Sequence, residues 1–179
     1  KFRFRYIDQL EPDFEETIEG FLGSKVHESL EWLYNLQNKN IDLDELIKKF
    51  IEIWNNDLNS EIKIMKEGLT IDHYFNKGIK FLINYYLQNK PFQDNTIETE
   101  KKIIIDLDVS GDNKIIGFID RLVHNKDTDI FEIHDYKTSG TLKSQAELDN
   151  DRQLALYSIA IHNNYKNVRD IHLIWHYLD

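Results

Sequence analysis

Apolar residues in the first ninety positions recur at the three- and four-residue spacing of amphipathic helices. The segment 43–54 repeats this spacing, and a third segment extends from about 62 to 87. It ends before Pro91, and a proline disfavours helix in the residue that precedes it. The sequence therefore predicts a helical part over about 8–90. The first helix of this part carries Leu22, Val26, Leu30, Leu33 and Leu36.

In the second half of the chain the pattern changes to that of strands. The stretches 96–109, 114–124 and 129–137 are rich in β-branched and aromatic residues, and turn-forming residues separate them. Strands joined by such short turns pair in antiparallel order, so the sequence predicts a three-stranded meander. A helix over about 146–162 and a fourth strand over 168–178 complete the pattern.

This order of elements predicts an α+β fold, in which a β-β-β-α-β core at about 96–179 follows the helical part. The connections leave no room for a linker, so residues 1–179 are expected to form a single domain. The chain opens at Lys1 in the middle of a pattern. We therefore expect it to be a fragment of a longer protein.

Charge and cysteine content narrow the possible functions. The chain has 22 Lys and Arg against 32 Asp and Glu, a net charge of −10, which argues against binding nucleic acid through bulk positive charge. The sequence has no cysteine, which excludes disulfides, thiolate zinc sites and a cysteine nucleophile; the cytoplasm is the expected compartment. No run of about 18 apolar residues is present, so no membrane partner is expected.

Two carboxylates and a lysine lie near the ends of adjacent predicted strands. Asp120 is late in the second strand, and Asp135 and Lys137 share a face late in the third. Carboxylates so placed suit Mg²⁺ or Mn²⁺, which bind oxygen ligands and leave positions for a phosphate. The lysine can orient or deprotonate an attacking water. The pattern predicts a metal-dependent phosphodiesterase.

Four motifs, in matching order, resemble those of the PD-(D/E)XK nucleases and of their RecB-like exonuclease branch. The resemblance covers roughly 1–178 and implies a restriction-endonuclease-like core. This core is an α/β sandwich-like arrangement with an α-β-β-β-α-β mixed sheet flanked by helices, into which the N-terminal helices are inserted. Ile119 stands where the family name has proline. The motifs are Gly23-Ser24-Lys25-Val26-His27, Gly117-Phe118-Ile119-Asp120-Arg121, Asp135-Tyr136-Lys137-Thr138 and Gln153-Leu154-Ala155-Leu156-Tyr157.

The resemblance also implies roles for these residues. His27, Asp120 and Asp135 would be metal ligands, the Tyr136 main-chain carbonyl a further ligand, and Lys137 the catalytic lysine. DNA contact or active-site support would come from Gln153, Tyr157, Arg121 and Thr138.

The same resemblance implies partners and cofactors. Mg²⁺ or Mn²⁺, as one or two ions, would be the cofactor, DNA the substrate, and a helicase domain or subunit a partner in DNA repair or recombination. The cysteines that hold an iron–sulfur cluster in some RecB-like members are absent, so this segment does not support a cluster.

Alternative interpretations stay open at this point. The chain could be an inactive nuclease fold that binds DNA or acts as a scaffold in a larger helicase–nuclease complex. It could also be a helical interaction module whose acidic residues are merely solvated. Asp106 and Asp108 are predicted on the solvated face of the first strand, although either could lie near the metal. His172 and His176 occupy alternate strand positions, and no ligand role is expected for them.

Overall fold

The structure is a computed structural model that describes residues 16–36, 40–106, 113–138, 142–149 and 152–179. The start of the predicted helical part and Asp108 lie outside these residues. The elements in chain order are β1 (Glu16–Thr17), α1 (Ile18–Asn35), α2 (Leu43–Asp57), β2 (Ile62–Lys63), α3 (Ile71–Asn89), β3 (Thr96–Asp106), β4 (Lys114–Asn125), β5 (Ile130–Lys137), α4 (Gln145–Asp149), α5 (Arg152–Asn164) and β6 (Asp170–Tyr177).

The main sheet has four strands in the order β3-β4-β5-β6. The first three form the predicted antiparallel meander, and β6 pairs with β5 in parallel after the α5 crossover. One apolar cluster joins α5 to one sheet face, and a second joins α1, α2 and α3 to the other through residues such as Tyr136. The predicted α+β fold with a mixed sheet flanked by helices is confirmed.

The first three helices begin at well-formed caps and pack closely. The Thr17 hydroxyl accepts a hydrogen bond from the Gly20 N–H at 3.2 Å, and Asp42 and Glu45 form a reciprocal capping box at the start of α2. Gly78 lets α3 approach its neighbours, because a Cβ there would overlap the ring of Phe50. None of the helices in the described ranges is both long and apolar enough to cross a membrane.

The predicted helix over 62–87 is wrong at its beginning. Residues 62–63 instead form β2, which pairs in parallel with β1. Gly68 has a φ of 77°, a conformation that few other residues adopt easily, and Thr70 caps α3 through the His73 N–H. Apolar residues before position 71 pack on the helices as a loop, which their spacing alone does not distinguish from a helix. The predicted helix over 146–162 likewise corresponds to two elements, α4 and α5.

The side-chain alternation of β3 and β4 reverses at one level of the sheet. Ile119 and Leu122 both pack into the cluster under α5, although residues three apart on a regular strand point to opposite faces. In β3, Glu98 and Lys101 are also three residues apart, and their side chains meet on one face in an ion pair at 2.5 Å. Both strands therefore change face near Glu100, which has a φ of 44°.

Candidate metal centre and active site

The strands β4 and β5 separate at Asp120 and Asp135. The last pair of their ladder is Arg121 with His134, and beyond it Asp120 Oδ2 accepts the Tyr136 N–H at 2.7 Å. The carboxylate thus takes the place of a strand carbonyl and is held at the point where the two strands diverge.

Helix α1 brings His27 to this point. Gly23 allows the approach, because a Cβ there would lie 3.0 Å from Thr138 Oγ1 at the end of β5. His27 Nε2 lies 2.9 Å from the Tyr136 carbonyl, and since a carbonyl only accepts, Nε2 carries a hydrogen. The other nitrogen, Nδ1, lies 3.5 Å from Asp120 Oδ1.

In a neutral ring Nδ1 would be an acceptor like the Asp120 oxygen, and the two would repel each other. A proton or a metal ion between them replaces this repulsion with attraction and is therefore favoured. Burial opposes protonation, but the hydrogen bond and the charge of Asp120 outweigh it and raise the pKa of His27. The pair thus favours a positive charge at the position of a metal ligand.

Glu100 completes this group of ligands. Its neighbours Thr99 and Lys101 pair with Arg121 and Ile119, which sets Glu100 opposite Asp120. One ligand atom from each of His27, Glu100 and Asp120 lies within 4.8 Å of the others, and we call these three residues the acidic cluster. Burial and the charge of Asp120 raise the pKa of Glu100. The negative charge of the two carboxylates exceeds what one imidazole can balance. A group of this composition fits a divalent metal ion.

Asp135 and Lys137 form a separate pair beside the acidic cluster. Asp135 is buried, and its Oδ1 accepts from Gln153 Nε2 at 3.0 Å. Its Oδ2 lies 2.5 Å from Lys137 Nζ, but no residue in the described ranges gives this oxygen a hydrogen bond of ordinary geometry. Burial raises the pKa of Asp135, and the lysine opposes this shift. Among the described residues, Asp135 is not part of the three-ligand group.

Helix α5 braces the site through a chain of hydrogen bonds. Besides contacting Asp135, Gln153 Nε2 donates to the Tyr157 hydroxyl at 2.6 Å. This hydroxyl donates to the Phe118 carbonyl at 2.8 Å, which ties α5 to β4. The two helix residues singled out from the sequence therefore contact each other and both strands that carry the carboxylates.

The family model of the PD-(D/E)XK nuclease superfamily matches residues 1–178. The chain belongs to this superfamily. Its members are generally nuclease hydrolases that use divalent metals and act on DNA. No curated protein matches the chain.

Arg121, the residue after Asp120, points into the interior between the sheet and α1, where its guanidinium lies 4.0 Å from the centre of the Tyr34 ring. Only 2% of it is exposed, so of the two predicted roles, DNA contact and active-site support, its position favours the second. Its Nε donates to the Tyr136 hydroxyl at 2.9 Å, and an Nη donates to His134 Nδ1 at 2.7 Å. We call its group the arginine cluster, which comprises Arg121, Asp94, His134, Tyr136 and His176. Arg121 contacts the side chain of Tyr136, whose N–H and carbonyl bind Asp120 and His27.

The remaining sequence candidates lie at different distances from the acidic cluster. Thr138 follows β5 and adjoins Gly23 of α1. The backbone of Asp106 pairs with Lys114 at the opposite end of β3 from Thr96, far from Asp120. His172 is exposed, and its Nε2 lies 3.3 Å from Asp170 Oδ2.

Sequence reasoning missed Glu100. The stretch 98–102 contains two acids and two lysines without apolar alternation, so nothing in it distinguishes Glu100 from Glu98. A hairpin centred on the predicted turn would pair Ile103 with Asp120, whereas the ladder pairs Ile103 with Gly117. Only the true register sets Glu100 opposite Asp120, and this register depends on the whole hairpin.

Proposed function

We propose that the chain is a DNA nuclease of the RecB-like exonuclease branch that hydrolyses phosphodiester bonds with Mg²⁺ or Mn²⁺ as its metal. The observation that carries this proposal is the convergence of the acidic cluster with the Asp135–Lys137 pair where β4 and β5 diverge. The contacts of Gln153 with Asp135 and Tyr157 support the assignment to the branch.

Each residue has a distinct task in this reaction. His27, Glu100 and Asp120 would hold the metal, and Asp135, fixed by Gln153, would hold it or its water. A bound divalent ion supplies charge neutralisation at the phosphate and lowers the pKa of a coordinated water. Lys137 Nζ is half-exposed and can orient the attacking water and stabilise negative charge on the phosphate. The Tyr136 carbonyl, within 2.9 Å of His27, holds that imidazole in place.

We propose a biological setting that follows from charge. A chain of net charge −10 gains little affinity from phosphate contacts, which favours a helicase domain or subunit as the partner that grips DNA. DNA repair or recombination in the cytoplasm is the corresponding role. We also propose that the helices and the sheet act as one domain, since Tyr136 of the sheet packs into the helical cluster.

A cleavage assay with a matched lysine control tests the proposal. Labelled linear single-stranded and double-stranded DNA and a closed circle are incubated with Mg²⁺, Mn²⁺ or EDTA. The comparison is between wild type, Lys137→Ala and Lys126→Ala, which removes an exposed lysine in the β4–β5 turn. We expect metal-dependent loss of linear DNA, survival of the circle, and inactivity of Lys137→Ala alone. Metal binding without any cleavage would instead identify an inactive DNA-binding or scaffolding domain.

A further inference from the structure

The outer face of the β3–β4 hairpin exposes apolar side chains beside the metal site. Ile104 and Ile116 are opposite each other and are 49% and 56% exposed. Phe118, opposite Lys102, is 51% exposed. A strand with one solvated face normally places polar residues there, and here both faces are apolar. We call Lys102, Ile104, Ile116 and Phe118 the Phe118 patch. An exposed apolar cluster of this kind indicates a binding surface.

The Phe118 patch is continuous with the catalytic residues. Phe118 lies two residues before Asp120, and its carbonyl accepts the Tyr157 hydroxyl. Tyr157 in turn contacts Gln153, which holds Asp135. The backbone under the patch therefore belongs to the hydrogen-bond chain that fixes the site, and a substrate held on Phe118 keeps a defined position relative to Asp120.

Charge around the site determines what can lie on this patch. The cleft of about 440 Å³ on the α1 side is lined by His27 together with Glu28, Glu31 and Glu100. These carboxylates repel a phosphate backbone, so the α1 side contributes little affinity for DNA. On the hairpin side, an exposed aromatic ring lies across from a lysine. This combination suits a base stacked on the ring and its phosphate near the ammonium group.

We propose that the Phe118 patch is a stacking platform that holds unpaired bases of single-stranded DNA beside the metal site. The inference rests on the proposed nuclease function and specifies the form of its substrate. Bases inside a duplex keep both faces stacked on their neighbours, so an unpaired segment can present successive bases to Phe118 and the interior of a duplex cannot.

Binding without cleavage gives the direct test. A fluorescent single-stranded 12-mer is titrated with the full chain in Ca²⁺, and anisotropy reports affinity. We expect Phe118→Ala to weaken binding about tenfold, in line with the loss of one base–aromatic stack. Phe118→Trp should retain affinity, whereas Phe118→Leu, which keeps an apolar surface, should behave like Phe118→Ala. Leu87→Ala, which truncates an exposed apolar residue of α3, serves as the control.

An abasic 12-mer separates stacking from phosphate contact. Wild type should bind it about as weakly as Phe118→Ala binds the normal strand, and the two proteins should not differ on it. Equal binding of normal and abasic strands by wild type, or normal affinity of Phe118→Leu, would overturn the platform. So would a dimer that Phe118→Ala converts to a monomer with unchanged DNA affinity, because the occupant would then be a second copy of the chain.

The outcome is separable from that of the nuclease proposal. Phe118-dependent binding of a strand that the protein never cleaves would contradict the nuclease proposal alone. Metal-dependent cleavage that is equally fast with wild type and Phe118→Ala on single-stranded DNA would contradict the platform alone.

Discussion

Asp120 and Arg121 are neighbours on β4, yet their side chains belong to clusters of opposite character. In the acidic cluster, two carboxylates share one imidazole, and the pKa of Glu100 is raised by burial and by Asp120. In the arginine cluster, a buried cation is surrounded by acceptors that satisfy its donors. The acidic cluster lacks positive charge and is suited to a metal ion. In the arginine cluster, side chains of the protein itself supply the hydrogen-bond partners. Electrostatic balance therefore separates a ligand site from a structural network better than polarity does.

The largest effect is expected from Asp120→Asn. The amide oxygen can still accept the Tyr136 N–H, so the fold is retained while a metal ligand is lost. Cleavage should fall about a thousandfold or more, because metal ions supply several kcal/mol of transition-state stabilisation. Stability in EDTA should change little, since the repulsion between Asp120 and Glu100 is removed together with the attraction between Asp120 and His27.

Steady-state cleavage and urea unfolding measure the two effects. Asp127→Asn, in the exposed β4–β5 turn, is the matched control and should leave both unchanged. Normal activity of Asp120→Asn would remove this carboxylate from the site.

Arg121→Leu should instead reduce stability. It leaves the buried His134 Nδ1 and Tyr136 hydroxyl without the donor that Arg121 supplies, and it removes the cation 4.0 Å from the centre of the Tyr34 ring. Leaving buried acceptors without a donor costs about 1–3 kcal/mol of unfolding free energy. Urea unfolding would show this loss, and Arg169→Leu, at an exposed position, should be nearly neutral. An unchanged midpoint for Arg121→Leu would mean that the cluster does not stabilise the fold.

These two residues also show how far sequence reasoning extends. Stretches rich in β-branched and aromatic residues, separated by turn residues, were enough to predict the meander, because these local signals do not depend on the register of the strands. The partners of Asp120 could not be predicted in the same way. Glu100 becomes its neighbour only through the hairpin register, and the orientation of Arg121 depends on the reversal of alternation near Glu100.

The helical part shows the corresponding limit for element boundaries. The apolar spacing before Ile71 continues that of α3, but Gly68 and the Thr70 cap interrupt the helix there. The burial of this loop is a tertiary effect, which local periodicity does not report.

Acid should destabilise the arginine cluster. Because a guanidinium only donates, His134 Nδ1 is an acceptor and that ring is neutral. Burial and the charge of Arg121 lower the pKa of His134 to about 2 and that of His176 to about 4. The unfolded chain takes up these protons at about pH 6.5 and the folded chain does not, so stability falls as the pH drops below that value. The slope is roughly 1 kcal/mol per pH unit for each histidine.

A comparison of wild type with a histidine variant isolates the contribution of His176 to the pH dependence of stability. Glu100 and Asp135 have raised pKa values, so their protonation favours the folded state as pH falls and opposes the histidine effect. Urea midpoints at pH 7, 6 and 5 are therefore compared between wild type and His176→Gln, in which these carboxylates are retained. The variant should lose less stability on acidification. His172→Gln, at an exposed site, should follow wild type. Parallel curves for His176→Gln and wild type would contradict the assignment.

The smallest expected effect concerns the backbone at Glu100, where φ is 44°. This left-handed conformation costs a non-glycine residue on the order of 1 kcal/mol, and it occurs where Glu100 lies opposite Asp120. Glu100→Gly and Glu100→Ala both remove the ligand, so metal-dependent stabilisation should vanish in each. The glycine variant should be more stable than the alanine variant by about 0.5–1 kcal/mol.

The same pair of substitutions at Lys102, an exposed position of the same strand, is the matched control. There glycine should be the less stable of the two by about 0.5–1 kcal/mol, because it gains nothing from a strand conformation and loses more chain entropy on folding. If glycine is the more stable variant at position 100 and the less stable one at position 102, the metal site has backbone strain as well as repulsion between its carboxylates. If glycine is the less stable variant at both positions, only charge repulsion destabilises the acidic cluster.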